Sequence, residues 1–278
     1  MENSETESEN FVSLNDATML AEAAGLSALS NAALYGKGIF TTIAVADGRA
    51  VFPEKHRRRL EDNSARIGIE LPDTTDLFNS LDQIIQTNKL SRGRARVTVF
   101  DESAASLWST NQRVRSSVLI TTAEPRAHSA VFRIDLSPYA VNSRSPLAGI
   151  KTCNYLEQTL ARDAARLKGF DEAIRLNERG EISSAAMANI FWVKNGAIFT
   201  PALEAGCLAG TTREFVLENF EVVEVLEGIE TVESADEIFL TSAGIGIRPA
   251  VLGDDKRLPA AITARVRESF EQELDHDR

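Results

Sequence analysis

Two stretches of this 278-residue chain place reactive residue types where they could act together. The first ends in Lys151, which follows Pro146-Leu147-Ala148-Gly149-Ile150. A lysine whose stem lies beside apolar surface loses its proton more readily, and a neutral amine condenses with a carbonyl. The second is Gly206-Cys207-Leu208-Ala209-Gly210-Thr211-Thr212-Arg213, which opens a helix. Helix N-termini present unpaired amides and the positive end of a dipole, so they attract phosphate. An amine and an anion-ready helix start together point to a phosphorylated carbonyl compound as the ligand. Taken singly, each has a plainer reading: an exposed lysine near a helix start, and an ordinary threonine N-cap.

The elements that must position these residues follow from periodicity. Asn154 to Leu167 carries Leu156, Leu160, Ala161, Ala164 and Leu167 at helical spacing, with Gly169 as a stop. Ala173 to Leu176 reads as a short strand and Asn177 to Gly180 as a turn. Ile190 to Val193 and Ala197 to Thr200 flank Lys194-Asn195-Gly196, a hairpin signal. Upstream, Phe11 to Leu14 reads as a strand and Ala17 to Ala24 is rich in helix formers. Tyr35 to Gly48 reads as a strand with a hairpin turn, and Pro53 to Ile67 as a helix carrying His56-Arg57-Arg58-Arg59. Leu77 to Thr87 reads as a helix, and Arg94 to Phe100 and Ser116 to Thr122 as strands of one sheet. Downstream come a strand and turn in Val222 to Thr231, a strand in Ala235 to Thr241 and a closing helix in Leu258 to Leu274.

Composition narrows the functional classes. The net charge of −11 argues against nucleic acid or an anionic membrane as the main partner. The two cysteines, Cys153 and Cys207, lie in no metal-ligand pattern, so no metal is expected. Reduced thiols, with no secretory signal and no apolar run long enough to span a membrane, fit a cytoplasmic protein. Residues 1–10, acidic and serine-rich, read as a disordered tail. The expected division is an N-terminal α+β domain over 11–123, a linker over 124–130 containing Pro125, and a C-terminal domain over 131–278.

The order of the motifs resembles the class IV aminotransferases, pyridoxal-phosphate enzymes of fold type IV. That family includes branched-chain and D-amino acid aminotransferases and aminodeoxychorismate lyases. The resemblance rests on Tyr35-Gly36-Lys37-Gly38-Ile39-Phe40-Thr41-Thr42, His56-Arg57-Arg58-Arg59-Leu60, Lys151-Thr152-Cys153-Asn154-Tyr155-Leu156 and Gly169-Phe170-Asp171-Glu172-Ala173. It continues through Ala188-Asn189-Ile190-Phe191, Thr200-Pro201, Gly210-Thr211-Thr212-Arg213 and the run from Glu237 to Pro249. It implies an α+β fold of two domains, the smaller N-terminal and the larger C-terminal one with a β-barrel-like core. It implies that Lys151 forms a Schiff base with pyridoxal 5′-phosphate and then moves protons at the substrate α-carbon. Arg59, Thr211, Thr212, Ser242 and Ala243 fall where relatives hold the cofactor phosphate, and Tyr155 where they bind its phenolic oxygen. Tyr35, Phe40 and Thr42 fall on the strand that faces substrate. His56, Arg57 and Arg58 read as structural or solvated. A homodimer acting on an amino acid and a 2-oxo acid is the expected assembly and chemistry.

Departures from the family pattern bear on the reaction. Ser184 stands where relatives place the glutamate that keeps the pyridine nitrogen protonated, and Glu181 is three residues too early to replace it. Thr41 stands where many relatives have glutamate, and Ala243 where transaminases often have threonine. Asp101 to Ser109 lacks the Arg-Gly pair of many transaminases, and reads equally as a wall of the substrate pocket or a surface loop. Arg248 meets a substrate carboxylate or is a plain surface arginine. Phe40-Thr41-Thr42 and Gly246-Ile247-Arg248-Pro249 also resemble lyase members. The expected activity is amino-group transfer, with aminodeoxychorismate lyase as the alternative and a cofactor-binding relative with little catalysis as a third reading.

Overall fold

The computed structural model describes residues 10–105, 115–253 and 261–276. Residues 1–9 of the expected tail over 1–10, residues 106–109 of the Asp101 to Ser109 loop and the first residues of the expected closing helix lie outside them. The chain divides into two compact units, Met1–Pro125 and Arg126–Arg278.

The first unit opens with a hairpin, β1 (Phe11–Leu14) and β2 (Ala17–Leu20), followed by α1 (Asn31–Tyr35) and a second hairpin, β3 (Gly38–Ala46) and β4 (Arg49–Ala50). Two helices follow, α2 (Pro53–Ile67) and α3 (Thr74–Thr87), and then β5 (Gly93–Asp101) and β6 (Ser116–Ala123). The six strands form one sheet in the order β2-β1-β6-β5-β3-β4. The helix formers of Ala17 to Ala24 make no α-helix. Asn15 and Asp16 both adopt positive φ, closing a tight hairpin that pairs Leu14 with Ala17, and only Ala21–Ala23 turn helically. Pairing with β1 outweighs local propensity. Pro53 starts α2 and Gly68 ends it in the left-handed region. Ile39 and Ile43 of β3 and Leu60, Leu81 and Ile84 of the two helices are fully buried.

The second unit runs through β7 (Phe132–Leu136), α4 (Leu156–Leu167), β8 (Glu172–Leu176), β9 (Ile182–Ala185), β10 (Asn189–Lys194) and β11 (Ala197–Pro201). It continues with α5 (Thr211–Asn219), β12 (Val222–Val225), α6 (Ile229–Glu233), β13 (Glu237–Ser242), β14 (Gly246–Leu252) and α7 (Ala261–His276). Its eight strands form a sheet curled into a half-barrel, in the order β12-β11-β10-β13-β14-β7-β8-β9. Asn195 and Gly196 take positive φ in the tight β10–β11 turn. Ile174, Ile190, Trp192, Ile238 and Leu240 share the core on one face of the sheet. On the other face Phe191 stacks on Phe239 at 4.9 Å. The Glu237 carboxylate accepts from the amides of Ile262 and Thr263 and so caps α7.

Two local readings change. The Val222 to Thr231 stretch holds a strand and then the start of a helix, α6, rather than a strand and a turn. Helix α4 exists, but its predicted leucine stripe is not its buried face: Leu156, Leu160 and Leu167 are exposed, Leu167 to 90%. Of the expected stripe Ala161 does face the sheet, and with Ala165 it packs on Ala173 and Ala186. Small side chains let the helix backbone approach β8 closely, where leucines would hold it off.

Candidate active site

Helix α4 begins directly after a short irregular segment that carries Lys151. Tyr155 is its N-cap residue, one turn beyond the lysine. Lys151 Nζ lies 3.3 Å from the Tyr155 hydroxyl and 4.8 Å from the centre of the tyrosine ring. The amine therefore has both a hydrogen-bonding oxygen and the face of an aromatic ring beside it. Both residues are half-buried, so a ligand can reach them.

Strand β9 carries Ser184. The antiparallel register sets it directly across from Arg175 of β8, so the two side chains leave the sheet on the same face. Arg175 is 2% exposed. It donates to the carbonyls of Ala140 and Tyr139, at 3.0 and 3.4 Å, and to Glu157 Oε2 in the first turn of α4, at 3.2 Å. Glu181 is committed elsewhere, accepting from Arg179 Nη2 at 2.6 Å and Asn177 Nδ2 at 2.7 Å. At the start of β8, Glu172 is buried, with its two oxygens accepting from the amides of Ala173 and Met187. Burial pushes its carboxyl up to about 7, against the pull of those amides.

At the start of α5 the N-cap is Gly210, not a threonine, and Thr211 and Thr212 occupy the first helical positions, both buried. The reason is a neighbour 21 residues earlier in the chain. Asn189 of β10 donates to the Leu208 carbonyl at 2.8 Å, and a Cβ at position 210 would sit 2.1 Å from Asn189 Oδ1. Arg213 is buried and turned away from the helix start, donating to the Pro201 carbonyl at 3.1 Å and pairing with Glu224. Cys207 is buried, its thiol pushed up to about 11 by desolvation, so it stays protonated. Ser242 ends β13 opposite Gly246, and Ala243 lies in the turn that follows. Arg248, half-buried on β14, donates through Nε to the Ile245 carbonyl at 3.0 Å.

The first unit holds the remaining predicted residues. Tyr35, exposed, ends α1. Phe40 and Thr42 share one face of β3, and Thr41 points the opposite way, toward α2. Arg59 of α2 donates to Thr41 Oγ1.

Two residues come into view only in the structure. Arg96 of β5 stands across from Thr42, and its guanidinium carbon lies 3.5 Å from the centre of the Phe40 ring. The signal for it in the sequence was the polar alternation Arg94, Arg96, Thr98 along an otherwise apolar strand. Thr241 of β13 is fully buried, and its hydroxyl has no hydrogen-bond partner among the described residues. It pairs directly with Asn189, whose side chain reaches the start of α5.

Comparisons with known proteins identify the family. A family model described as amino-transferase class IV matches residues 38–252. The branched-chain-amino-acid aminotransferase of Salmonella typhimurium is 26% identical over 289 residues, covering 95% of this chain and 93% of that protein. The aminodeoxychorismate lyase of Bacillus subtilis is 26% identical over 249 residues, covering 86% and 85%. The solved branched-chain aminotransferase of the thermophilic archaeon Thermoproteus uzoniensis, with norvaline, superposes with a TM-score of 0.87 at 25% identity, covering 97% and 96%. The chain belongs to the class IV aminotransferases, a family of pyridoxal-phosphate-dependent enzymes.

Proposed function

We propose that the protein transfers an amino group between an amino acid and a 2-oxo acid, with Lys151 as the residue that attaches pyridoxal phosphate. The observation that carries this reading is the Lys151 amine set 3.3 Å from the Tyr155 hydroxyl at the start of α4.

The residues present fit the cofactor. The Gly210 backbone is packed so closely on Asn189 that a Cβ has no room, which keeps the first turn of α5 clear for a group of oxygens. Paired with Asn189, Thr241 holds a buried hydroxyl with hydrogen-bonding capacity to spare. When bound, pyridoxal phosphate supplies the carbonyl that takes up an amine and the ring that draws electrons from the α-carbon.

Each residue of the chain then has a task. Lys151 would hold the cofactor through Nζ, and its free amine would take the α-proton on Nζ and return it. Tyr155 orients Nζ and hydrogen-bonds the phenolic oxygen. In the second unit Thr211, Thr212, Ser242 and the backbone at Ala243 would bind the phosphate; Arg59, by its place in the family motif, is read as a phosphate ligand. Ser184 offers the pyridine nitrogen a hydrogen bond and no charge. Tyr35, Phe40 and Thr42 line the substrate side, and Arg96, a cation on the Phe40 and Thr42 face, meets the substrate carboxylate.

The lyase reading is kept because the B. subtilis relative is an aminodeoxychorismate lyase and because Phe40-Thr41-Thr42 resembles a sequence found in some lyase members. The two readings separate in one assay, in which the enzyme is given amino-acid and 2-oxo-acid pairs, and separately aminodeoxychorismate. Keto-acid formation that requires the second partner supports transfer. Release of pyruvate and 4-aminobenzoate without an acceptor supports the lyase.

A further inference from the structure

Helix α2 places His56 and Arg59 three residues apart, on one face, against Thr41 of β3. Thr41 is fully buried and His56 is 1% exposed. Thr41 Oγ1 lies 2.6 Å from His56 Nδ1. Arg59 Nη2 donates to Thr41 Oγ1 and lies 3.3 Å from the same His56 nitrogen. These three groups have one consistent proton arrangement. A guanidinium only donates, so the Thr41 oxygen accepts from Arg59. A protonated Nδ1 would aim its N–H at two groups, one of which is a cation. Nδ1 is therefore the acceptor, the Thr41 O–H donates to it, and the His56 proton sits on Nε2. The result is a directed chain from Arg59 N–H to Thr41 O–H to His56 Nδ1.

We propose that Thr41 and His56 are positioning residues that fix the guanidinium of Arg59 for the cofactor phosphate. The inference rests on the reading of Arg59 as a phosphate ligand. Thr41 stands where many relatives carry glutamate. A threonine and a neutral imidazole orient the guanidinium through hydrogen bonds while adding no negative charge beside an anion site. Orientation matters because a planar guanidinium makes paired bonds to phosphate oxygens only when its plane is set correctly. The β-branched Thr41 is itself locked in the strand, with few rotamers open to it.

The test compares equilibrium binding of pyridoxal phosphate with that of pyridoxal, which lacks the phosphate, by absorbance titration of the apo protein. Thr41→Val keeps the shape and removes the hydroxyl. It is expected to weaken pyridoxal phosphate about tenfold and to leave pyridoxal unchanged, while Thr41→Ser restores the wild-type ratio. His56→Leu reads the same ratio from the other end of the chain, and His56→Asn, which keeps an acceptor near the Nδ1 position, preserves it. Arg59→Met tests the underlying reading separately. If Arg59→Met leaves the ratio of the two affinities unchanged, Arg59 does not serve the phosphate and the inference falls with that reading. If Arg59→Met lowers the ratio but Thr41→Val and His56→Leu do not, the phosphate reading stands and the positioning role is overturned.

Discussion

Arg175 faces Ser184 directly across the β8–β9 pair, a buried cation opposite a neutral hydroxyl. The guanidinium donates to two backbone carbonyls and to the exposed carboxylate of Glu157. A carboxylate at position 184 would give it a nearer counter-charge inside the protein. Ser184→Glu is therefore expected to be tolerated in the presence of Arg175 and destabilising in an Arg175→Met background. A double-mutant cycle on the apo protein should show coupling of about 1–3 kcal/mol, read from thermal or denaturant unfolding. Additive effects would contradict the facing geometry. With pyridoxal phosphate bound, the same Ser184→Glu variant should change the visible spectrum, because a carboxylate favours a protonated ring nitrogen. An unchanged spectrum and rate would count against Ser184 as the residue at that nitrogen.

Glu172 gives a pH signature. Its carboxyl titrates at about 7 in the folded protein, raised by burial from 4.5. Below the unfolded value both states hold the proton and stability is unaffected. Between pH 4.5 and 7 the folded state holds a proton that the unfolded state has lost. Stability therefore falls as pH rises through this window, by at most about 1.4 kcal/mol per pH unit from this group. Denaturant unfolding across the window should show the slope, and Glu172→Gln should flatten it. A slope equal in both proteins would show that Glu172 does not bind the proton.

Gly210 is held by its neighbour rather than by its own φ, which is an ordinary −77°. Alanine there collides with Asn189 Oδ1, and Asn189 is tied to the Leu208 carbonyl. Gly210→Ala should cost about 1–3 kcal/mol of stability and weaken pyridoxal phosphate more than pyridoxal. Pairing it with Asn189→Ala, which removes the obstruction, should recover part of the stability. No recovery would mean that the crowding lies elsewhere.

Arg96 stands on the face of the sheet that carries Phe40 and Thr42. If it meets the substrate carboxylate, Arg96→Met should raise KM for amino and 2-oxo acids about ten- to a hundredfold, with kcat changed less. Steady-state kinetics with a carboxylate substrate and its amide or ester give the comparison. An equal loss on the uncharged analogue would assign Arg96 to packing on Phe40.

What was legible in the sequence was local. Pro53 opens α2, and Asn195-Gly196 closes the β10–β11 turn, because backbone stereochemistry acts over a few residues. The ordered motifs brought Lys151 and Tyr155 into view as a pair, and the structure sets them 3.3 Å apart. What escaped depended on distant partners. Ala17–Leu20 became a strand because β1 was available to pair with it. The buried face of α4 was chosen by the close approach of β8, not by the larger side chains. Gly210 as the α5 cap was dictated by Asn189, and the Arg175–Ser184 pairing by a register invisible in either strand alone.

The visible absorption spectrum of the protein with pyridoxal phosphate tests the proposed attachment at Lys151 most directly. The wild type should show a band that a Lys151→Ala variant lacks, and the wild-type band should change when an amino acid is added. The same band in both proteins would contradict the account.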